Sequence, residues 1–257
     1  MTIAFNYIEN WQDVIDYMLA KYPEEGCGYV TKDNQFVPME NLAEDKINCF
    51  DMNSSILIEV PDIKAIIHSH TYDPNKPPEV DPRTPSKADM QGQIDTNVEW
   101  GIVVTEGENV VIPFWFGDKS HRPPLMEREF IHSTQDCFAF MADWMYKEYK
   151  VDIPTIPREY DWFLKGENYF DNQYQEWEFE DVTNEKRIRG DVVFYRIRSD
   201  VVNHIGVMVD ENTVVHHLFG RLPVKEPYEI WAKYVTRKVR LTEEGKNKYG
   251  TSNLSPR

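Results

Sequence analysis

Two histidines separated by one residue, His68 and His70, end the apolar segment 63–67, and a carboxylate follows in Pro85-Ser86-Lys87-Ala88-Asp89. Extended backbone repeats every two residues, so in a strand both imidazoles face one side and can chelate one cation. Ser86 has the residue type of a helix N-cap, which puts Asp89 in the first turn of the helix that follows. Two imidazoles and a carboxylate suit Zn2+ and leave a fourth tetrahedral position open, as a catalytic zinc requires. Upstream, Glu25 in Pro23-Glu24-Glu25-Gly26-Cys27-Gly28 falls in a turn between a helix and a strand. There its carboxylate can act as general base, while the Ser86 hydroxyl can donate to a developing oxyanion. Taken alone, His-Ser-His is more plainly read as two surface histidines or as one histidine capping a strand end; its place between the Glu25 turn and Ser86-x-x-Asp89 is what makes it specific. Cys27, between glycines where a strand begins, reads as a buried packing residue rather than a further ligand.

A second set of reactive residues lies downstream. Cys137, in Gln135-Asp136-Cys137-Phe138-Ala139-Phe140, opens a segment of helical pattern, and the positive end of a helix macrodipole lowers a thiol pKa. A thiolate nucleophile needs a base and a group that orients the base. His204 starts one apolar run, His216 ends the next, and the short polar Asp210-Glu211-Asn212 between them reads as a hairpin turn. Antiparallel pairing then brings His204 and His216 to the same end of the hairpin. The plainer alternative is a packed cysteine and a histidine at a strand edge.

The elements that must hold these residues fall into two groups. Before residue 117, Trp11, Val14, Ile15, Met18 and Leu19 recur at helical spacing up to Pro23; short apolar runs follow at 29–30, 63–67, 101–104 and 110–116, with a polar, helix-compatible segment at 86–97. This pattern predicts an α/β domain. After it, 136–150 reads as an amphipathic helix and 191–197, 204–209 and 213–218 as strands, which predicts α+β. Between them, Gly117-Asp118-Lys119-Ser120-His121-Arg122-Pro123-Pro124 is polar and ends in two prolines. The charge balance changes there too: residues 1–117 hold 20 acidic and 7 basic side chains, residues 118–257 hold 24 and 21. The boundaries read as a first domain at 1–117, a linker at 118–125 and a second domain at 126–257.

With 41% hydrophobic residues, a 257-residue chain can bury one large core or two ordinary ones. The net charge of -16 argues against a nucleic-acid partner, since phosphate binding draws on clustered Lys and Arg. No membrane-spanning segment and no leader-like start are expected, and three cysteines cannot all pair, so folding in a reducing cytoplasm is expected.

The order Glu25, His68-x-His70, spacer, Ser86-x-x-Asp89 resembles the JAMM motif of JAB/MPN metallopeptidases. The resemblance implies that His68, His70 and Asp89 bind zinc, that Glu25 is the base and Ser86 the oxyanion partner. The spacer 71–85, with five prolines, is longer than that family's and would form a stiff lid or partner-binding excursion. The set Asp136-Cys137, His204-Ile205-Gly206-Val207-Met208 and His216 resembles the NlpC-type, papain-like cysteine peptidases, many of which cleave peptidoglycan stem peptides. By that resemblance Cys137 is the nucleophile, His204 the base and His216 its orienting residue; Arg189-Gly190-Asp191 matches a strand entry, with Asp191 structural. Ala139 stands where that family commonly has glycine. The two motifs in tandem resemble the tail-tip assembly proteins of lambda-like siphophages. That likeness implies other tail-tip proteins as partners, a role in tail-tip completion and wall crossing, and a place in the host cytoplasm during assembly and then at the virion tail tip. The competing reading is a structural tail component whose hydrolase sites are silent. A deubiquitinase-like enzyme using the first site alone is a third, against which the Cys137 set counts.

Overall fold

The computed structural model describes residues 8–53, 56, 60, 63–73, 80–117 and 122–250. Residues 74–79 of the proline-rich spacer and 118–121 of the expected linker lie outside the described residues. The chain divides into two compact units, Met1–His121 and Arg122–Arg257. None of Cys27, Cys49 and Cys137 forms a disulfide, and no helix among the described residues is long and apolar enough to cross a membrane.

In the first unit, α1 (Trp11–Lys21) buries Val14 and Met18 against a mixed five-stranded sheet. Its strands are β1 (Cys27–Thr31), β2 (Phe36–Met39), β3 (Ile63–Thr71), β4 (Glu99–Glu106) and β5 (Asn109–Phe116), in the order β2-β1-β3-β4-β5. β3 and β4 are parallel and the other pairs antiparallel. A parallel pair needs a crossover, and α2 (Lys87–Thr96) lies within it. Ser86 caps α2 through a capping box: its hydroxyl accepts the Asp89 N–H, and the Asp89 carboxylate accepts the Ser86 N–H. Phe36–Met39 forms a strand that the apolar runs read from the sequence do not include; as an outer strand, β2 tolerates the donor that Pro38 lacks.

In the second unit, α3 (Cys137–Tyr149) is followed by α4 (Tyr169–Gln173), β6 (Phe179–Asp181), β7 (Val192–Tyr195), β8 (His204–Met208), β9 (Thr213–His216), β10 (Val224–Pro227), α5 (Tyr228–Trp231), β11 (Val235–Leu241) and α6 (Glu243–Lys248). The six strands form one antiparallel sheet in the order β10-β9-β8-β7-β11-β6. α3 packs with Phe138, Met141 and Met145 in one core with Ile205, Val207 and Val215, while Val193, Tyr195, Met208 and Val214 form a second cluster with Trp231 beside it. β10 alternates half-buried and exposed residues and carries Lys225 and Glu226, the composition of an outer strand rather than of an apolar run.

Candidate functional site

His68 and His70 lie two residues apart on β3, and β1 pairs with that strand so that Cys27 faces His68 across the ladder. The Gly26 N–H donates to Ser69 Oγ at 2.9 Å and the Ser69 N–H to the Gly26 carbonyl at 2.8 Å, tying the Glu25 turn to the histidine strand. The capping box then aims Asp89 at the two rings. His68 Nε2 and His70 Nε2 are 3.1 Å apart, His68 Nε2 is 3.4 Å from Asp89 Oδ1, and His70 Nε2 is 3.4 Å from Asp89 Oδ2. A charge-assisted hydrogen bond would be about 2.7–2.9 Å. Donors around a tetrahedral divalent cation with bonds of about 2.0–2.1 Å stand about 3.3–3.4 Å apart; both ring-to-carboxylate separations have that spacing, and the ring-to-ring separation is shorter. Among the described residues, these three form a group that can hold a metal ion.

The surroundings fit a ligand role. His68 is fully buried, stacked on Phe50 at 4.3 Å and edge-on to Trp100 at 5.8 Å. His70 Nδ1 lies 2.8 Å from the Pro82 carbonyl, a hydrogen bond of the kind that orients a ligating ring. Burial lowers the His68 pKa; at His70 burial also acts downward, but the nearby Asp89 carboxylate outweighs it and raises the value. Asp89, despite burial, is held well below the usual carboxylate range by the two imidazoles. Glu25 is buried beside this group, and its charge is felt at His70. Cys27 is buried, and its thiol is pushed up to about 12 by burial and by Glu25.

Cys137 is the first residue of α3. Its N-cap, Asp136, accepts the Phe138 and Ala139 N–H groups through Oδ1 at 3.0 and 3.1 Å. Asp136 Oδ2 accepts the Ser133 N–H at 3.0 Å and pairs with the buried Arg158, which also donates to the Ile156 and Ser133 carbonyls. The helix terminus was expected to lower the thiol pKa. Instead burial and the Asp136 carboxylate push it up to about 12, against smaller opposing effects of the Ile205 and Phe138 N–H groups and Arg158. The Ile205 contact sets Cys137 against β8 one residue from His204.

The hairpin pairs Gly206 with His216, so His204, two residues before Gly206, shares a face with His216. His204 Nε2 lies 3.0 Å from His216 Nδ1. A Cβ on residue 206 would come within 2.7 Å of Val214 and 3.1 Å of His216 Cβ, so glycine permits this approach. His204 is lowered well below its ordinary pKa by burial and by the neighbouring His216, His217 and Arg221. Sequence reasoning missed Glu226, whose Oε2 is 3.0 Å from His216 Nε2. One acidic residue among many carries no local signal, and only pairing of β10 with β9 brings it there.

Among known proteins, the NlpC/P60 family profile matches residues 112–240. The chain is also similar to the tail tip assembly protein K of Escherichia phage N15, 27% identical over 241 residues, covering 88% of this chain and 91% of that protein. The tail tip assembly protein K of Escherichia phage lambda is 26% identical over 167 residues, covering 65% of this chain and 75% of that protein.

Proposed function

This chain belongs to the NlpC/P60 family, and from that premise we propose that it is a phage tail-tip protein whose second unit is a cysteine endopeptidase acting on peptidoglycan stem peptides. The observation that carries this reading is the line from the buried His204 and His216 to the half-buried Glu226, beginning one residue from the strand position that Cys137 touches. Because the resting thiol is protonated, Cys137 must lose its proton to His204 as it attacks the scissile carbonyl carbon; the protonated imidazole then returns that proton to the leaving amine. His216 keeps the His204 ring oriented throughout. Water then cleaves the thioester and restores the thiol.

For the first unit we propose a JAB/MPN-like metallopeptidase site in which His68, His70 and Asp89 hold Zn2+. Bound zinc supplies Lewis acidity there. Glu25 takes a proton from the attacking water, and Ser86, whose oxygen accepts the Asp89 N–H, donates its hydroxyl proton toward the oxyanion. The names of the relatives support a place at the tail tip and a part in its assembly; help in crossing the cell wall follows from the endopeptidase reading of the second unit. A second reading, a structural tail-tip component with silent hydrolase sites, is favoured by one observation: Cys137 is only 7% exposed and its thiol is raised.

Wild type, His68→Ala and Cys137→Ala proteins incubated with purified peptidoglycan and with tail proteins, with products mapped by mass spectrometry, separate the two. We expect Cys137→Ala to abolish stem-peptide cleavage and His68→Ala to leave it intact while losing stoichiometric zinc. Identical fragment patterns for wild type and Cys137→Ala would leave the structural reading standing.

A further inference from the structure

We infer that Glu226 is a positioning residue that sets the tautomer of both imidazoles, and so decides which nitrogen of His204 holds the proton-accepting lone pair. Its consequence for catalysis rests on the cysteine-peptidase reading; the tautomer assignment itself does not.

Strand register comes first. β8 pairs Gly206 with His216 of β9, and β9 pairs His216 with Val224 of β10. His204 and Glu226 each stand two residues from these partners, so the period of two puts His204, His216 and Glu226 on one face of three adjacent strands. Tyr195 on β7, paired with His204, closes that row and stacks on the His204 ring at 5.5 Å.

Hydrogen-bond capacity then fixes the protons one by one. An ionised carboxylate only accepts, so His216 Nε2, 3.0 Å from Glu226 Oε2, must carry a hydrogen. A neutral imidazole protonated at Nε2 has Nδ1 as acceptor. His204 Nε2, 3.0 Å from His216 Nδ1, must therefore be the donor, which leaves His204 Nδ1 unprotonated. Glu226 cannot reverse this order, because groups that only donate hold its other contacts. Trp231 Nε1 donates to Oε2 at 2.7 Å and Arg221 Nη2 to Oε1 at 3.1 Å. The His216 side chain is fully buried, and Trp231 covers its ring edge-on at 4.8 Å, so in the intact protein Glu226 is the acceptor that its Nε2 meets. With Glu226 removed, His216 loses its only carboxylate acceptor among the described residues, and both tautomers become accessible along the pair.

The test is a long-range proton–nitrogen correlation spectrum of the full chain labelled with 15N-histidine, read beside the rate of Cys137 alkylation by iodoacetamide at neutral pH. In wild type both His204 and His216 should carry the proton on Nε2. Glu226→Gln, which keeps a carbonyl acceptor, should retain that pattern, whereas Glu226→Ala should populate both tautomers and slow alkylation several-fold. A wild-type His204 protonated on Nδ1 overturns the proposal without recourse to any variant, as does Glu226→Ala with both tautomers unchanged. If wild-type tautomers are as expected but His204→Ala alkylates as fast as wild type, the peptidase reading fails and the tautomer assignment stands.

Discussion

His204, His216 and His217 are buried as neutral rings, and burial is the largest cause of the lowered pKa at each. His217, set edge-on to Phe130 at 5.1 Å and Phe140 at 6.3 Å, falls to about 4, with Arg128 adding to the effect and Asp136 opposing it. In the unfolded chain these rings titrate near their ordinary value of 6.5. A lowered folded value means that the unfolded state binds more protons below that pH. The stability is complete above 6.5 and drains away as pH falls toward 4. We expect urea denaturation to show wild type losing stability between pH 7.5 and pH 5. His217→Phe should lose about 1 kcal/mol less over the same span, after allowing for partial solvent screening. Equal losses in the two proteins would mean that His217 is not buried as a neutral ring.

At the scale of elements, Asp136 does for α3 what Ser86 does for α2, with a charge added. It caps two amide groups, and it is the carboxylate partner of Arg158, which is 1% exposed and lies over the Phe138 ring at 5.2 Å. Removing one member of a buried pair strands the other, at about 3–5 kcal/mol. We therefore expect Asp136→Ala to cost about 4 kcal/mol in urea denaturation, against about 1 kcal/mol for Ser86→Ala, which removes a cap alone. Similar costs for both would show that the Arg158 pair contributes little. The helix starts at Ser86 and Asp136 were readable in sequence, because capping is written in adjacent residues. Arg158, 22 positions further along the chain, was not.

For the whole molecule, the two compact units hold the two groups of reactive side chains separately: His68, His70 and Asp89 in Met1–His121, and Cys137, His204 and His216 in Arg122–Arg257. A ligand that binds only the folded state stabilises by mass action, about 2.7 kcal/mol at a hundredfold excess over Kd. We expect calorimetry of the zinc-loaded protein to show two transitions, of which a chelator lowers one by several degrees and leaves the other in place. His68→Ala should melt as the chelated protein does and ignore further chelator. A chelator that moves neither transition would sink the metal-site reading.

Composition, period and local spacing determined a good deal by themselves. The His68–His70 pair, the Ser86–Asp89 helix start, the Cys137 helix and the hairpin between His204 and His216 are local features, each specified by residues a few positions apart. Tertiary structure decided what depends on distant chain segments. It set the separations among His68, His70 and Asp89 and attached Glu226 to His216 through the outermost strand. It also reversed the expected direction at Cys137, where burial under β8 and the adjacent Asp136 charge outweigh the pull of the helix terminus. Desolvation is a property of the packed core, and no window of sequence contains it.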